Sequence, residues 1–183
     1  MTTLTPANQL TLLRMLLIPG FVILVVYGYL GWALVVFATA GLTDALDGLI
    51  ARRSGQKTRL GAWLDPMADK LLLVSTFVVL TAPNLGLTNP LPIWLTVLII
   101  SRDVGIVLTV AVVNLAIGPR TFRPSVYGKI ATATYILTAS VAMFFNYRRY
   151  ASPVVDVFVY ASLAITVVSS LHYMWQAARI NEA

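Results

Sequence analysis

Cysteine is absent from the 183 residues, which excludes disulfides, iron–sulfur clusters and thiolate zinc sites. Histidine occurs once, as His172, with no second ligand close in sequence, and it reads as structural. Charge is scarce. Asp, Glu, Lys and Arg make up 11% of the chain, where a soluble domain carries about 25%. That scarcity excludes a disordered chain, a basic nucleic-acid-binding domain and most soluble enzymes. What is abundant is apolar: 58% of residues are hydrophobic, and mean hydropathy is +0.83. An integral membrane protein is the class that remains. The length suits a single domain over residues 1–183, with room for six transmembrane helices at roughly 20 residues each.

Six apolar runs meet that expectation, at Leu10–Tyr29, Trp32–Ile50, Gly61–Thr81, Ile93–Ile117, Val126–Asn146 and Val154–Gln176. The fold class expected is therefore all-α, a polytopic bundle of six spans. Thr5-Pro6 suits a helix start, with Pro6 at the first helical position. No Lys or Arg lies in Met1 to Gln9 and no small-residue cleavage site follows the first run, so that run is expected to be retained as a helix. With six spans, Arg52, Arg53, Lys57 and Arg59 share a side with both termini and with Arg120, Arg123 and Lys129. The far side holds Arg148 and Arg149. The positive-inside rule then puts both termini and the two basic loops in the cytosol, so the net charge of +6 is read as topology and not as nucleic-acid affinity.

Five acids sit inside apolar runs: Asp44, Asp47, Asp65, Asp69 and Asp103. A carboxylate at the centre of a membrane helix costs about 2.5–3.5 kcal/mol on insertion scales. Asp44 and Asp47 are spaced i, i+3, and Asp65 and Asp69 i, i+4, so each pair projects from one helical face. At 1.5 Å per residue both pairs lie about 8–18 Å in from the charged loop that joins their runs. Four carboxylates at one depth repel unless countered. Two divalent cations would offset four negative charges, and all-oxygen ligation points to Mg²⁺ or Mn²⁺. Structural ion pairs with Arg52, Arg53 and Arg59, or a pathway for protons or cations as in a small cation transporter, are the other readings of these residues.

The stretch Asp44-Ala-Leu-Asp47-Gly48-Leu-Ile-Ala51-Arg52, then eight residues, then Gly61-Ala-Trp-Leu-Asp65-Pro-Met-Ala-Asp69, resembles the signature of the CDP-alcohol phosphotransferase family at every fixed position. The resemblance implies a homodimer of six-helix protomers that displaces CMP from a CDP-linked lipid, CDP-diacylglycerol, with an alcohol at the cytosolic membrane surface. It implies that Asp44, Asp47 and Asp65 hold one metal, that Asp44, Asp65 and Asp69 serve a second, and that Asp69 is the general base. It assigns Gly48, Ala51, Arg52, Thr58 and Gly61 to the CDP-lipid, with Asn8 ahead of the first span bordering the same site. These roles suit the side chains. Gly48 and Ala51 let a nucleotide approach the helix backbone, and Arg52 offers phosphate a planar fork.

Asn8-Gln-Leu10-Thr11-Leu-Leu-Arg14-Met-Leu-Leu-Ile-Pro19 resembles the opening of phosphatidylglycerophosphate synthases, which implies sn-glycerol 3-phosphate as acceptor. That anion needs basic groups, and the candidates are Arg102, Arg120, Arg123 and Lys129. Gly128-Lys129 with Thr132 is similar to the family's Gly-Lys-x-x-Thr element, with Ala131 where an extra Lys is common. Ser101-Arg102-Asp103 and Pro124-Ser125-x-x-Gly128-Lys129 resemble the cardiolipin synthases that use CDP-diacylglycerol and phosphatidylglycerol. Arg102 also has a local pairing with Asp103 open to it, and Lys129 could be an interfacial snorkelling residue.

Overall fold

The computed structural model describes the backbone of residues 6–54, 59–116 and 125–180, and among these the side chains of 9–43, 67–112, 115 and 125–176. It is all-helical over that range. Six helices follow one another: α1 (Pro6–Val26), α2 (Leu30–Ser54), α3 (Arg59–Thr81), α4 (Ile93–Ala116), α5 (Val126–Tyr147) and α6 (Pro153–Ile180), with one 3₁₀ turn at Pro83–Leu85. Pro6 opens α1, where its fixed φ and missing N–H cost nothing.

Among the described residues, four helices contain segments long and apolar enough to cross a membrane: Gln9–Val26, Ile93–Val112, Val126–Tyr147 and Pro153–Gln176. Within the described residues of α2, Leu30–Thr43 forms a shorter apolar stretch. α2 and α3 also run further into the charged connection than their apolar runs do. Backbone N–H and C=O groups near a lipid surface remain best satisfied inside a helix even where side chains turn polar. The chain is a polytopic integral membrane protein.

The chain divides into two compact units, residues 1–90 with 142–151 and residues 91–141 with 152–183. In the first, α1 packs against both α2 and α3. The core there is built from Phe21, Val25, Ala33, Phe37, Leu72 and Phe77, with the Phe21 and Phe37 rings 6.0 Å apart. The turn from α1 to α2 is very short. Gly28 takes φ 79°, so that its N–H reaches Val25 O at 3.0 Å and the Tyr29 N–H reaches Leu24 O at 2.8 Å. That is a left-handed helix stop of the Schellman type, which glycine adopts without a Cβ penalty. Gly31 is needed for a different reason: a Cβ there would stand 2.8 Å from Cε2 of Tyr147.

In the second unit α4 packs against α6. Val155, Val159, Ser162, Thr166 and Ser169 are buried along one face of α6 at spacings of three and four. Hydroxyl pairs tie α5 to that face: Tyr135 Oη with Thr166 Oγ1 at 2.6 Å, and Thr138 Oγ1 with Ser162 Oγ at 2.7 Å. Lipid tails give helices no hydrophobic reason to associate, so small residues and interhelical hydrogen bonds supply the contact.

Candidate active site

Asp44 and Asp47 lie on the continuous helical backbone of α2, and Asp65 and Asp69 on that of α3. The expected spacing is therefore realised: each pair occupies one face of its helix. Gly48, Ala51 and Arg52 follow on the last turns of α2, Gly61 is on the first turn of α3, and Asn8 is on the first turn of α1. The side chains of Asn8, Asp44, Asp47, Arg52 and Asp65 lie outside the described residues, as do Thr58, Arg120 and Arg123 altogether.

Asp69 is described in full. Its Oδ1 accepts a hydrogen bond from Nη1 of Arg14, a charge-assisted contact of 2.7 Å between α3 and α1. Arg14 is 1% exposed, while the Asp69 side chain keeps 41% of its surface accessible. Thr11, one helical turn earlier on the same face of α1, is fully buried. The carboxylate is thus gripped from the protein side and open on another. Sequence reasoning gave Arg14 no role. The available signal was a lone charge in α1, which in a membrane helix demands a partner without naming it.

The donor set fits hard divalent cations. Four carboxylates, with no thiol or imidazole among them, sit on backbone that presents them in two same-face pairs. Mg²⁺ and Mn²⁺ take such oxygen ligands, and the accessible Asp69 carboxylate leaves one of the four approachable.

Of the expected acceptor residues, Arg102 and Lys129 are described, both in the second unit. The Arg102 side chain is 8% exposed; Nη1 donates to Asp103 Oδ1 at 2.9 Å and Nη2 to Ser169 Oγ at 2.7 Å. It reaches across the N-terminal end of α5, where a Cβ on Gly128 would meet Nη2 at 3.3 Å. Arg102, Ser101, Thr109, Thr166, Ser170 and Tyr173 are the polar part of a cavity of about 690 Å³ between α4 and α6, whose other lining residues are apolar or glycine. Lys129 is exposed on the first turn of α5. His172 lies edge-on to Tyr127, ring centroids 4.7 Å apart, and 6.0 Å from Trp175. A larger cavity of about 920 Å³ in the first unit is lined by Gly28, Tyr29, Trp32, Tyr147 and Arg149. Its lining begins at Gly28, just past the end of α1 at Val26, which is about 18 Å along the helix from Arg14.

The family model for CDP-alcohol phosphatidyltransferase matches residues 4–168. The chain belongs to the CDP-alcohol phosphatidyltransferase family. It is 34% identical over 183 positions to a Mycobacterium tuberculosis protein named probable phosphatidylglycerophosphate synthase, covering 94% of this chain and 81% of that one. It is 32% identical over 191 positions to human cardiolipin synthase (CMP-forming), covering 96% of this chain and 62% of the human protein. A Streptomyces coelicolor cardiolipin synthase (CMP-forming) is 37% identical over 117 positions, 61% of this chain and 52% of its own. This CDP-alcohol phosphatidyltransferase is accordingly a membrane-embedded transferase of phospholipid synthesis. Its family is metal-dependent and joins a CDP-linked alcohol to an acceptor alcohol.

Proposed function

We propose that the chain transfers the phosphatidyl group of CDP-diacylglycerol to sn-glycerol 3-phosphate, releasing CMP and forming phosphatidylglycerophosphate. Residues 1–183 act as a single catalytic domain in a homodimer, with the site facing the cytosol. Two Mg²⁺ or Mn²⁺ ions serve each site, held by Asp44, Asp47, Asp65 and Asp69. The observation that carries the acceptor is the 34% identity to the mycobacterial protein over nearly the whole chain, and the Asn8–Pro19 segment points the same way.

Bound divalent cations would neutralise the pyrophosphate and favour in-line attack on phosphorus. The chain's own side chains do the rest. Asp69 accepts the proton of the acceptor's 1-hydroxyl. The alcohol oxygen bonds to the β-phosphorus while the bridging P–O bond breaks, and the electron pair leaves on CMP. Arg52 and Thr58 hold the departing phosphate, and Asn8, Gly48, Ala51 and Gly61 shape the nucleotide's seat. Arg102, Arg120, Arg123 and Lys129 meet the acceptor's phosphate, since an anionic acceptor gains most from cations close to the reacting centre.

A second acceptor, phosphatidylglycerol, is favoured by the likeness to the human protein and by Ser101-Arg102-Asp103. An acceptor panel separates the two. Purified protein, CDP-diacylglycerol and Mg²⁺ are supplied with glycerol 3-phosphate, phosphatidylglycerol, inositol phosphate or serine, and products are identified by mass. Phosphatidylglycerophosphate from the first is expected. A four-chain product from the second, with none from the first, transfers the assignment to cardiolipin synthesis.

A further inference from the structure

We infer that Arg14 is a positioning residue for Asp69, anchoring the carboxylate that takes the acceptor's proton. The inference rests on the reading of Asp69 as general base. Arg14 is the only charged residue in α1, and its partner lies 55 positions away on α3. Burying a guanidinium is heavily penalised unless a well-aligned anion meets it, and apolar residues of similar volume commonly fill such places at no loss of stability. Packing alone therefore gives α1 no reason for an arginine where a Met or Leu would serve.

What the arginine supplies is direction. An aspartate side chain turns about two bonds, whereas the guanidinium is a rigid planar fork. Held by Arg14 at 2.7 Å on Oδ1, the carboxylate has one oxygen fixed from the buried side, and the side chain stays 41% accessible to its reactants. The same positive charge offsets part of the repulsion among the acids expected beside it. Orientation is worth much in such a step, because misplacing a reacting group by 1 Å costs about a hundredfold.

The test uses full-length protein in detergent with CDP-diacylglycerol, Mg²⁺ and the acceptor that the panel identifies. Arg14→Met should lower kcat about 10–100-fold with the KM for CDP-diacylglycerol within about twofold of the parent. Arg14→Lys should recover part of the loss. On an Asp69→Asn background, adding Arg14→Met should lower kcat no further. Thermal melts without metal give a readout apart from catalysis: Asp69→Asn should melt below the parent, and Asp69→Asn with Arg14→Met above Asp69→Asn alone. A parental kcat for Arg14→Met, a loss carried by KM alone, an equal loss on both backgrounds, or a double variant no more stable than Asp69→Asn each overturns the inference. Should Arg14→Met fail to accumulate, Arg14→Lys decides, since a parental kcat there dispenses with the fork. Failure of the Asp69 reading looks different: Asp69→Asn alone would keep full kcat.

Discussion

Asn89 and Asn146 hold each other through two reciprocal hydrogen bonds. The Asn89 N–H donates to Asn146 Oδ1 at 2.7 Å, and Asn146 Nδ2 donates back to Asn89 O at 3.0 Å. Asn89 Nδ2 extends the link to Tyr150 O at 2.8 Å. The loop after α3 is thereby fastened to the end of α5 within the first unit. Asn146 is 1% exposed, so these bonds are made away from competing solvent. Asn146→Leu removes both bonds at similar volume and is expected to cost about 2–3 kcal/mol. The check is a thermal melt in detergent, where an unchanged midpoint would show that the clasp contributes nothing.

Arg149 sits in the left-handed region at φ 51°. Its N–H reaches Asn146 O at 3.1 Å and the Tyr150 N–H reaches Phe145 O at 3.1 Å, the same helix stop that Gly28 makes after α1. A side chain in that conformation costs about 1–2 kcal/mol, partly offset by glycine's greater freedom in the unfolded chain. Arg149→Gly should therefore raise stability by about 0.5–1 kcal/mol, and Arg149→Val should lower it. Melting midpoints of the two variants should fall on opposite sides of the parent.

These two stops show what could be read in advance and what could not. Gly28 beside Gly31 marks a tight turn in any sequence, and the runs Ile93–Ile117 and Val126–Asn146 became helices with ends within a residue of those expected. Helix identity is a local property of an apolar run in lipid. A non-glycine residue at positive φ carries no such mark, because the surrounding contacts impose it. The same division runs through the site. Spacing puts Asp65 and Asp69 on one face, since that depends on helical geometry alone. The Arg14–Asp69 contact joins two helices and depends on how α1 packs against α3. A single cation in α1 signals that some partner exists, and the hydroxyl ladder between α5 and α6 likewise leaves only scattered Ser and Thr in the sequence.

Gly128 is the point where α5 admits the Arg102 guanidinium. A methyl there would lie 3.3 Å from Nη2 and 3.3 Å from Ser125 Oγ, close enough to push a side-chain end but not the backbone. Gly128→Ala should be nearly neutral, because about 1 kcal/mol of helix propensity offsets the crowding. Gly128→Leu cannot be absorbed by small shifts and should break the 2.7 Å contact with Ser169. If Arg102 serves the acceptor, the leucine variant should raise the acceptor KM several-fold and leave that of CDP-diacylglycerol in place. Equal rises in both would mean that Arg102 only braces the second unit.

Removal of divalent cations tests the four aspartates together. In the proposed site, Asp44, Asp47, Asp65 and Asp69 would repel one another without cations, Arg14 meets only Asp69 among the described contacts, and the pyrophosphate's charge would add to theirs. CMP release should therefore stop in chelator and return with Mg²⁺ or Mn²⁺, as oxygen-only ligation prefers. Asp65→Asn should lower kcat more than Asp47→Asn, since the proposed arrangement has Asp65 serving both cations and Asp47 one. Each loss should be about a hundredfold or more, the scale of a misplaced or unneutralised reacting group in phosphoryl transfer. Titrating Mn²⁺ against rate provides the finer check: Asp47→Asn should shift the midpoint for one class of ion, Asp65→Asn for both. A parental Mn²⁺ dependence in either variant would remove that aspartate from the cation site.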